Sequence, residues 1–421
     1  MSASPDDEIT LDFKGGVNNL AEQTAMPSGT ARAIINLDLV SGVPSLREGR
    51  QLRYPSASTY SLWSHPMLTF GLFMEADALK LLHESMQVDV LRSGLQTRDR
   101  HYAFVNNRVY HSNGVDTGIV TQDGVLRPWG VECPADTYTL TASAGGGLPG
   151  GEYRVALTFL RGNEEGGAFE PQTVVLIEGH GITVGALPAP VDTSITALRV
   201  YASSADDPRL FHVRDVAIGM PSVSIGAGGR GRRLDTVGLL PAPPGQYLLA
   251  KNSRLFSGSG RLLRWTESLR YGLTDPVNNV MPMPEDITGL GAPSDEALTL
   301  YVGGVNKTFL LQGTDMADVK LRSVMHTGIV PGSLLHIDPE DLNLQGVTDR
   351  CPVWLGSDGL FYVGTSTSRI PLNQGVAATI YQKAAAAFVE IEGRQRLIVA
   401  GRGGRKADLA IKDRAVARVV P

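Results

Sequence analysis

The sequence predicts an all-β chain: a β-propeller of about seven blades with one fibronectin III/Ig-like β-sandwich inserted into it. Three observations carry that expectation. Glycine (48) and proline (25) are abundant while the hydrophobic fraction stays at 42%, which supplies many turns without the apolar poverty of a disordered chain. One hairpin pattern recurs along the chain. A single interval of about 100 residues, with strand spacing suited to a sandwich, interrupts the series.

The clearest copies of the hairpin are Tyr102 to Gly114, YAFVNNRVYHSNG, and Tyr247 to Gly260, YLLAKNSRLFSGSG. With one gap, each reads as an apolar strand, a polar turn at asparagine, a second strand ending in an aromatic, and small turn residues. Asparagine suits such turns because it tolerates left-handed backbone geometry. The same outline returns at NLDLVSGVPSLREG from Asn36, LFMEADALKLLH from Leu72, LTLYVGGVNKTFLLQG from Leu298, VWLGSDGLFYVGTS from Val353 and FVEIEGRQRLIVAG from Phe388. These seven hairpins start about 30–55 residues apart except across the interruption, and a propeller blade takes about 40–50. A large sandwich or a meander of unrelated hairpins is the plainer alternative. Radial repetition protects the edges of many short strands.

The interruption spans residues 132–233, leaving 1–131 and 234–421 as the two parts of the propeller. Alternating runs such as Tyr153-Val155-Leu157-Phe159 and Ile195-Ala197-Leu198-Val200 predict sandwich strands. No Cys-Trp-Cys pattern is present, so a fibronectin type III-like sandwich fits better than an antibody domain. Glycine-rich stretches bracket it, ASAGGGLPGG near Gly145 and GAGGRGRR from Gly226. Both read as flexible tethers. Helix is expected only near Leu20 to Ala25 and in the alanine-rich stretch Ala377 to Ala387.

Charge and motifs point away from catalysis. Lysine plus arginine number 38 against 43 acidic residues, a net −5 that gives no reason to expect tight nucleic-acid binding. The eight histidines form no HxH or HExxH pattern, so no metal site is expected. His101 and His111 read as ordinary polar residues at the ends of a hairpin. No nucleophile elbow, Walker A or kinase motif occurs, and GAGGRGRR lacks the Lys-Ser/Thr of a phosphate loop. The paired acids Asp206-Asp207, Glu164-Glu165, Asp295-Glu296 and Glu340-Asp341 sit among turn residues, where solvated carboxylates are the rule. Cys133 and Cys351 read as small buried residues. No catalytic residue, metal ligand or cofactor site is therefore expected. The N-terminus reads as no signal peptide, and no apolar run reaches the length of a membrane span. The stretch Arg394 to Pro421 carries eight basic and two acidic residues, against an acidic start with Asp6, Asp7, Glu8 and Asp12.

The opening segment carries a resemblance. Gly15-Gly16-Val17-Asn18, Pro27 to Ala31, Asn36-Leu37-Asp38 and the basic turn Arg47-Glu48-Gly49-Arg50 resemble the start of bacteriophage tail and nozzle propeller proteins. RWTESLRYGLTDPVNNVMPMPEDITGL from Arg264 resembles a later segment of the same family, and ITALRVYASS is similar to the fibronectin-like modules of virion proteins. The resemblance implies a non-enzymatic structural protein of the tail, at the nozzle, neck or tail tip. It would work as a ring or cap with other phage tail proteins and copies of itself, in the virion, with DNA passing without sequence-specific contact. A host-surface glycan-binding propeller, with or without glycosidase activity, is the alternative. Glu164 and Glu165 facing Arg230, Arg232 and Arg233 of the next copy are the candidate subunit-interface residues.

Overall fold

The computed structural model describes residues 13–18, 23–34, 37–40, 43–46, 52–294, 297–342, 344, 347–372, 380–391 and 394–403. Among them the chain is all-β. Helix is limited to single 3-10 turns at Gln23–Ala25 and Pro339–Leu342. Nearly all the strands belong to small antiparallel sheets, and two compact units are formed: residues 58–282, and residues 1–57 together with 283–421. Among the described residues no helix is long and apolar enough to cross a membrane.

Five sheets are four-stranded and antiparallel in meander order, spanning 59–92, 101–127, 247–282, 289–325 and 335–371; in all but 247–282 each strand pairs with the one before it, and there the short strand Leu273–Thr274 intervenes and pairs with Leu240–Pro241. This is the unit from which propeller blades are made. The seven hairpins read from the sequence are all present as antiparallel pairs. Their turns have the expected chemistry. Asn106 and Asn107 have φ of 51° and 56°, and Asn252 and Ser253 have 46° and 57°, the paired positive values of a two-residue turn that matches the strand twist.

In the unit 58–282, Phe70, Leu72 and Leu81 of the first sheet pack on Val109 and Val120 of the second. Ala103, Tyr110 and Ile119 of the second pack on Leu248, Leu255 and Tyr271 of the third. Alternation along Arg108–Ser112 sends Val109 to one neighbour and Tyr110 to the other. The two sheets that border the interruption in sequence are thus direct neighbours in space.

Between them in sequence lies a two-sheet sandwich whose strands run from Thr139 to Ile225. One sheet has three strands (Thr139–Leu148, His180–Gly185, Ser222–Ile225). The other has five, with Gly151–Arg161 at its centre. Tyr153, Val155, Leu157 and Phe159 face inward against Ile182, Val184 and Ile225. The opposite face of the five-stranded sheet is covered too, because Leu234 and Val237 pack on Ala156, Tyr201 and Leu210.

That covering corrects the tether expectation. The stretch from Gly226 is zipped to the sandwich: Gly231 N donates to His212 O (3.1 Å), His212 N to Arg232 O (2.9 Å) and Leu234 N to Leu210 O (2.9 Å). Near Gly145 the chain lies inside the strand Thr139–Leu148 at a bulge. A Cβ on Gly146 would stand 2.2 Å from Gly181 N, so glycine there permits backbone to approach backbone rather than loosening the chain.

In the other unit, Tyr301 and Leu310 of the 289–325 sheet pack on Ile329 and Trp354, and Phe388 and Leu397 pack on Cys351, Val353 and Val363. The stretch read as alanine-rich helix is a strand, Lys383–Ile391, paired with Arg394–Arg402. Ala384 is buried, Ala385 exposed and Ala386 half-buried, a period of two that pairing imposed over alanine's helical propensity. Near the start, the two motifs of the tail-protein resemblance bond to each other: Gly15 N to Gly29 O (2.8 Å), Ala31 N to Gly16 O (2.8 Å) and Asn18 N to Ala31 O (2.9 Å). The turn at 47–50, Asp295-Glu296 and most of the basic C-terminal stretch lie outside the described residues.

Candidate functional site

The candidate site is a cleft of ≈280 Å³ within the unit 58–282, where the sandwich meets the two sheets that flank it. Four segments build it. The 101–127 sheet contributes Asn106, Arg108 and Tyr110. The sandwich hairpin after Gly151–Arg161 contributes Arg161, Asn163, Glu164 and Glu165. The connection after the sandwich brings Arg232 and Thr236, and the loop of the 247–282 sheet brings Leu269, Arg270 and Tyr271.

Its charges are organised around shared carboxylates. Glu164 accepts from Arg161 Nη2 (2.8 Å) and Nε (3.1 Å) and also from Arg108 Nη1, so it ties the sandwich to the neighbouring sheet. Arg161, itself nine-tenths buried, reaches Asp192 at 3.4 Å. Glu165 accepts from Tyr201 Oη (2.6 Å) and Thr158 Oγ1 (2.8 Å), with Arg199 at 3.5 Å. Arg199 in turn forms a bidentate pair with Asp215, at 2.7 and 2.9 Å. On the far side Asp235 takes both Arg270 and Arg232.

Burial alone would raise the Glu164 carboxyl, but hydrogen bonds from Arg108 and Arg161 outweigh it and hold the pKa below the ordinary range. For Arg108, burial works to lower the pKa, and the bond to Glu164 overcomes it. Burial pushes the Tyr110 hydroxyl up to about 12. A general acid needs a raised carboxyl pKa, and Glu164 is shifted the other way. Among the described residues no group of three His, Cys, Asp or Glu side chains could hold a metal ion.

The seam around the cleft is continuous. Ala168 N donates to Thr236 O (3.0 Å) and Gly238 N to Ala168 O (2.8 Å). Trp129 Nε1 donates to Tyr271 O at 2.7 Å. Glu132 Oε1 accepts from the amides of Val191 (2.6 Å) and Asp192 (3.0 Å). Cys133 Sγ lies 3.4 Å from Leu239 O, and burial raises its thiol pKa to about 11; neither cysteine is in a disulfide, and Cys351 is fully buried while Cys133 is only partly so.

Of the residues singled out from sequence, Glu164, Glu165 and Arg232 line this cleft, while Arg230 and Arg233 are exposed and stand outside it. The two glutamates are not solvated turn acids: both are partly buried and bonded to their own chain. Asp207 pairs with Arg209 at 2.7 Å. Sequence reasoning missed Arg108, Arg161, Asp235 and Arg270. The hairpin repeat held one signal, since Arg108 and Arg254 both follow the asparagine turn. In the second copy Arg254 only closes its own sheet, donating to Thr266 O at 3.0 Å.

A second polar cluster lies behind the cleft. Arg100 and His111 are almost fully buried, with Arg100 Nη1 2.7 Å from His111 Nδ1 and Arg100 N donating to Ser61 Oγ at 2.8 Å. Because arginine only donates, Nδ1 accepts and the imidazole is neutral with its proton on Nε2. Burial first, and then the charges of Arg100 and Arg92, hold the His111 pKa well below its ordinary value. His111 is therefore an internal strut and not the end-of-strand polar residue expected.

No family model and no curated protein matches the sequence. Among solved structures the chain is similar to a streptogramin B lyase (11% identity, 83% of this chain and 96% of that one, TM-score 0.31). It is similar also to BBS1N in complex with ARL6DN (11% identity, 83% and 90%, TM-score 0.31) and to apo AztD from Citrobacter koseri (11% identity, 82% and 90%, TM-score 0.29). At these scores the likenesses carry no argument about function.

Proposed function

We propose that the chain is a non-enzymatic structural protein of a bacteriophage tail. On this reading it is a β-propeller of about seven blades with an inserted fibronectin III/Ig-like sandwich. It works in a ring or cap around the DNA conduit, together with other tail proteins and copies of itself. The observation that carries the reading is the seam. The acids and bases of the main cleft are bonded to one another across it, which fixes the sandwich against its neighbouring sheets and leaves Glu164 and Glu165 bound as struts. Such an arrangement suits a part that must transmit force and hold shape. The five meanders and the two hairpins at 37–46 and 383–402 supply seven repeat units for the proposed propeller. The mutual bonding of the segments 15–18 and 27–31 gives the resembling motifs a structural reason to exist.

The test is mass spectrometry of purified particles from cells carrying the gene, combined with antibody labelling in the electron microscope. The expected result is the chain at fixed copy number with label on the tail. Infectious particles that lack the chain would overturn the reading.

A further inference from the structure

The cleft carries features that bracing alone does not explain, and we propose that it binds a small polyhydroxylated carboxylate, the chemistry of a uronic-acid sugar. This stands apart from the virion reading, because it concerns one site and not the assembly. The volume of ≈280 Å³ lies just under the small-molecule range that begins near about 300 Å³, which fits one sugar residue rather than a polymer.

Guanidinium groups outnumber their partners at the mouth. Asp235 is shared by Arg270 and Arg232, and Arg232 makes a single bond to it at 3.3 Å while its side chain remains 64% exposed. A guanidinium has five donors in a planar fork, so Arg232 retains an open edge matched to a planar carboxylate. Deeper in the cleft, Thr236 is 3% exposed and its Oγ1 has no hydrogen-bond partner. A buried hydroxyl without a partner is unusual in a folded protein. A ligand hydroxyl would satisfy it.

Leu269 supplies the third observation. It has φ of 60° and is 72% exposed, although a bulky side chain disfavours that backbone region and an exposed leucine recovers nothing by burial. Its conformation is fixed, since its amide donates to Ser253 O at 2.8 Å. Strain held in place at the rim of a polar cleft marks a contact surface, and a rigid apolar rim matches the C–H face of a sugar ring. Asn106 and Asn163, also in the lining, provide paired donors and acceptors for ring hydroxyls.

The full chain is titrated with sodium glucuronate, glucose and inorganic phosphate by calorimetry and saturation-transfer NMR. Glucuronate is expected to bind with a dissociation constant on the order of 1 mM, and glucose and phosphate about tenfold more weakly. Arg232→Gln and Thr236→Val are each expected to weaken glucuronate about fivefold without lowering the melting temperature. Phosphate binding as tightly as glucuronate would reduce the cleft to a simple anion site and overturn the proposal. Absence of glucuronate binding, or binding indifferent to both substitutions, overturns it as well.

Discussion

Gly167→Ala tests whether the sandwich is clamped or tethered. A Cβ at this position would lie 1.8 Å from Leu239 O and 2.7 Å from its carbonyl carbon, so the Leu239 backbone must retreat by at least about 1 Å to restore an ordinary contact. Gly167 has no positive φ, so alanine brings no backbone strain of its own. The retreat pulls on the neighbouring bonds from Ala168 N to Thr236 O and from Gly238 N to Ala168 O. Each is worth about 1 kcal/mol, and groups left buried without partners cost about 1–3 kcal/mol, which together predicts a loss of about 2–4 kcal/mol. For a unit of this size that lowers the melting temperature by roughly 5–15 °C. Calorimetry measures the loss, and hydrogen exchange at Ala168 and Gly238 locates it. Gly226→Ala is the control: it lies at the start of the connection that leads from the sandwich to Leu239, yet its Cβ would meet nothing within 4 Å, so it should be neutral within about 0.5 kcal/mol. Equal behaviour of the two variants would refute the clamp.

The polar clusters support two more predictions. Glu164→Ala should cost about 2 kcal/mol, between the values for exposed and buried pairs because its side chain is one-third exposed, and a double-mutant cycle with Arg108→Ala should return a coupling of about 1 kcal/mol that shrinks in high salt; strict additivity would mean that the pair does no work across the seam. His111 stays neutral in the folded chain while the unfolded chain takes up a proton below about pH 6.5, so its contribution is complete above that pH and is lost as pH falls toward the depressed folded pKa, by up to about 1.4 kcal/mol per pH unit. Denaturant titrations of wild type and His111→Gln at several pH values isolate that slope, and a native imidazole titrating near pH 6.5 by NMR would contradict it.

The hairpins were legible because their information is local: an asparagine turn and two alternating runs specify one another within about fifteen residues. The sandwich strands Gly151–Arg161 and Ala197–Ser203 were legible for the same reason. The alanine run at 384–387 was not, because alanine has no size contrast from which to read a face, and the pairing partner Arg394–Arg402 decides the outcome. The candidate site was legible only in part. Glu164, Glu165 and Arg232 stood out as local charge clusters, but Arg108 and Arg270 are more than 160 positions apart, and only the fold brings them to one cleft. Glycine misled most. Composition suggests flexibility around Gly145 and Gly226, whereas Gly146 and Gly167 are glycines because another backbone occupies the space a side chain would need.

The interruption places unequal demands on its two sides. The sheets 101–127 and 247–282 meet through Ala103, Tyr110, Ile119, Leu248, Leu255 and Tyr271, residues that lie outside the sandwich, so their contact does not depend on it. The sandwich's outer sheet does depend on the connection that leaves it, since Ala156, Tyr201 and Leu210 are covered by Leu234 and Val237. Entry and exit are held at one place: Trp129 Nε1 bonds to Tyr271 O (2.7 Å) and Ala242 N bonds to Gly272 O (2.9 Å). A repeat array accepts a guest most readily where both ends of the insert can be pinned beside each other. Here the loop bearing Tyr271 and Gly272 provides both pins, and its neighbours Leu269 and Arg270 form the rim of the cleft. The segment that follows the sandwich therefore also shapes a site at which strained, charged and unpartnered groups come together.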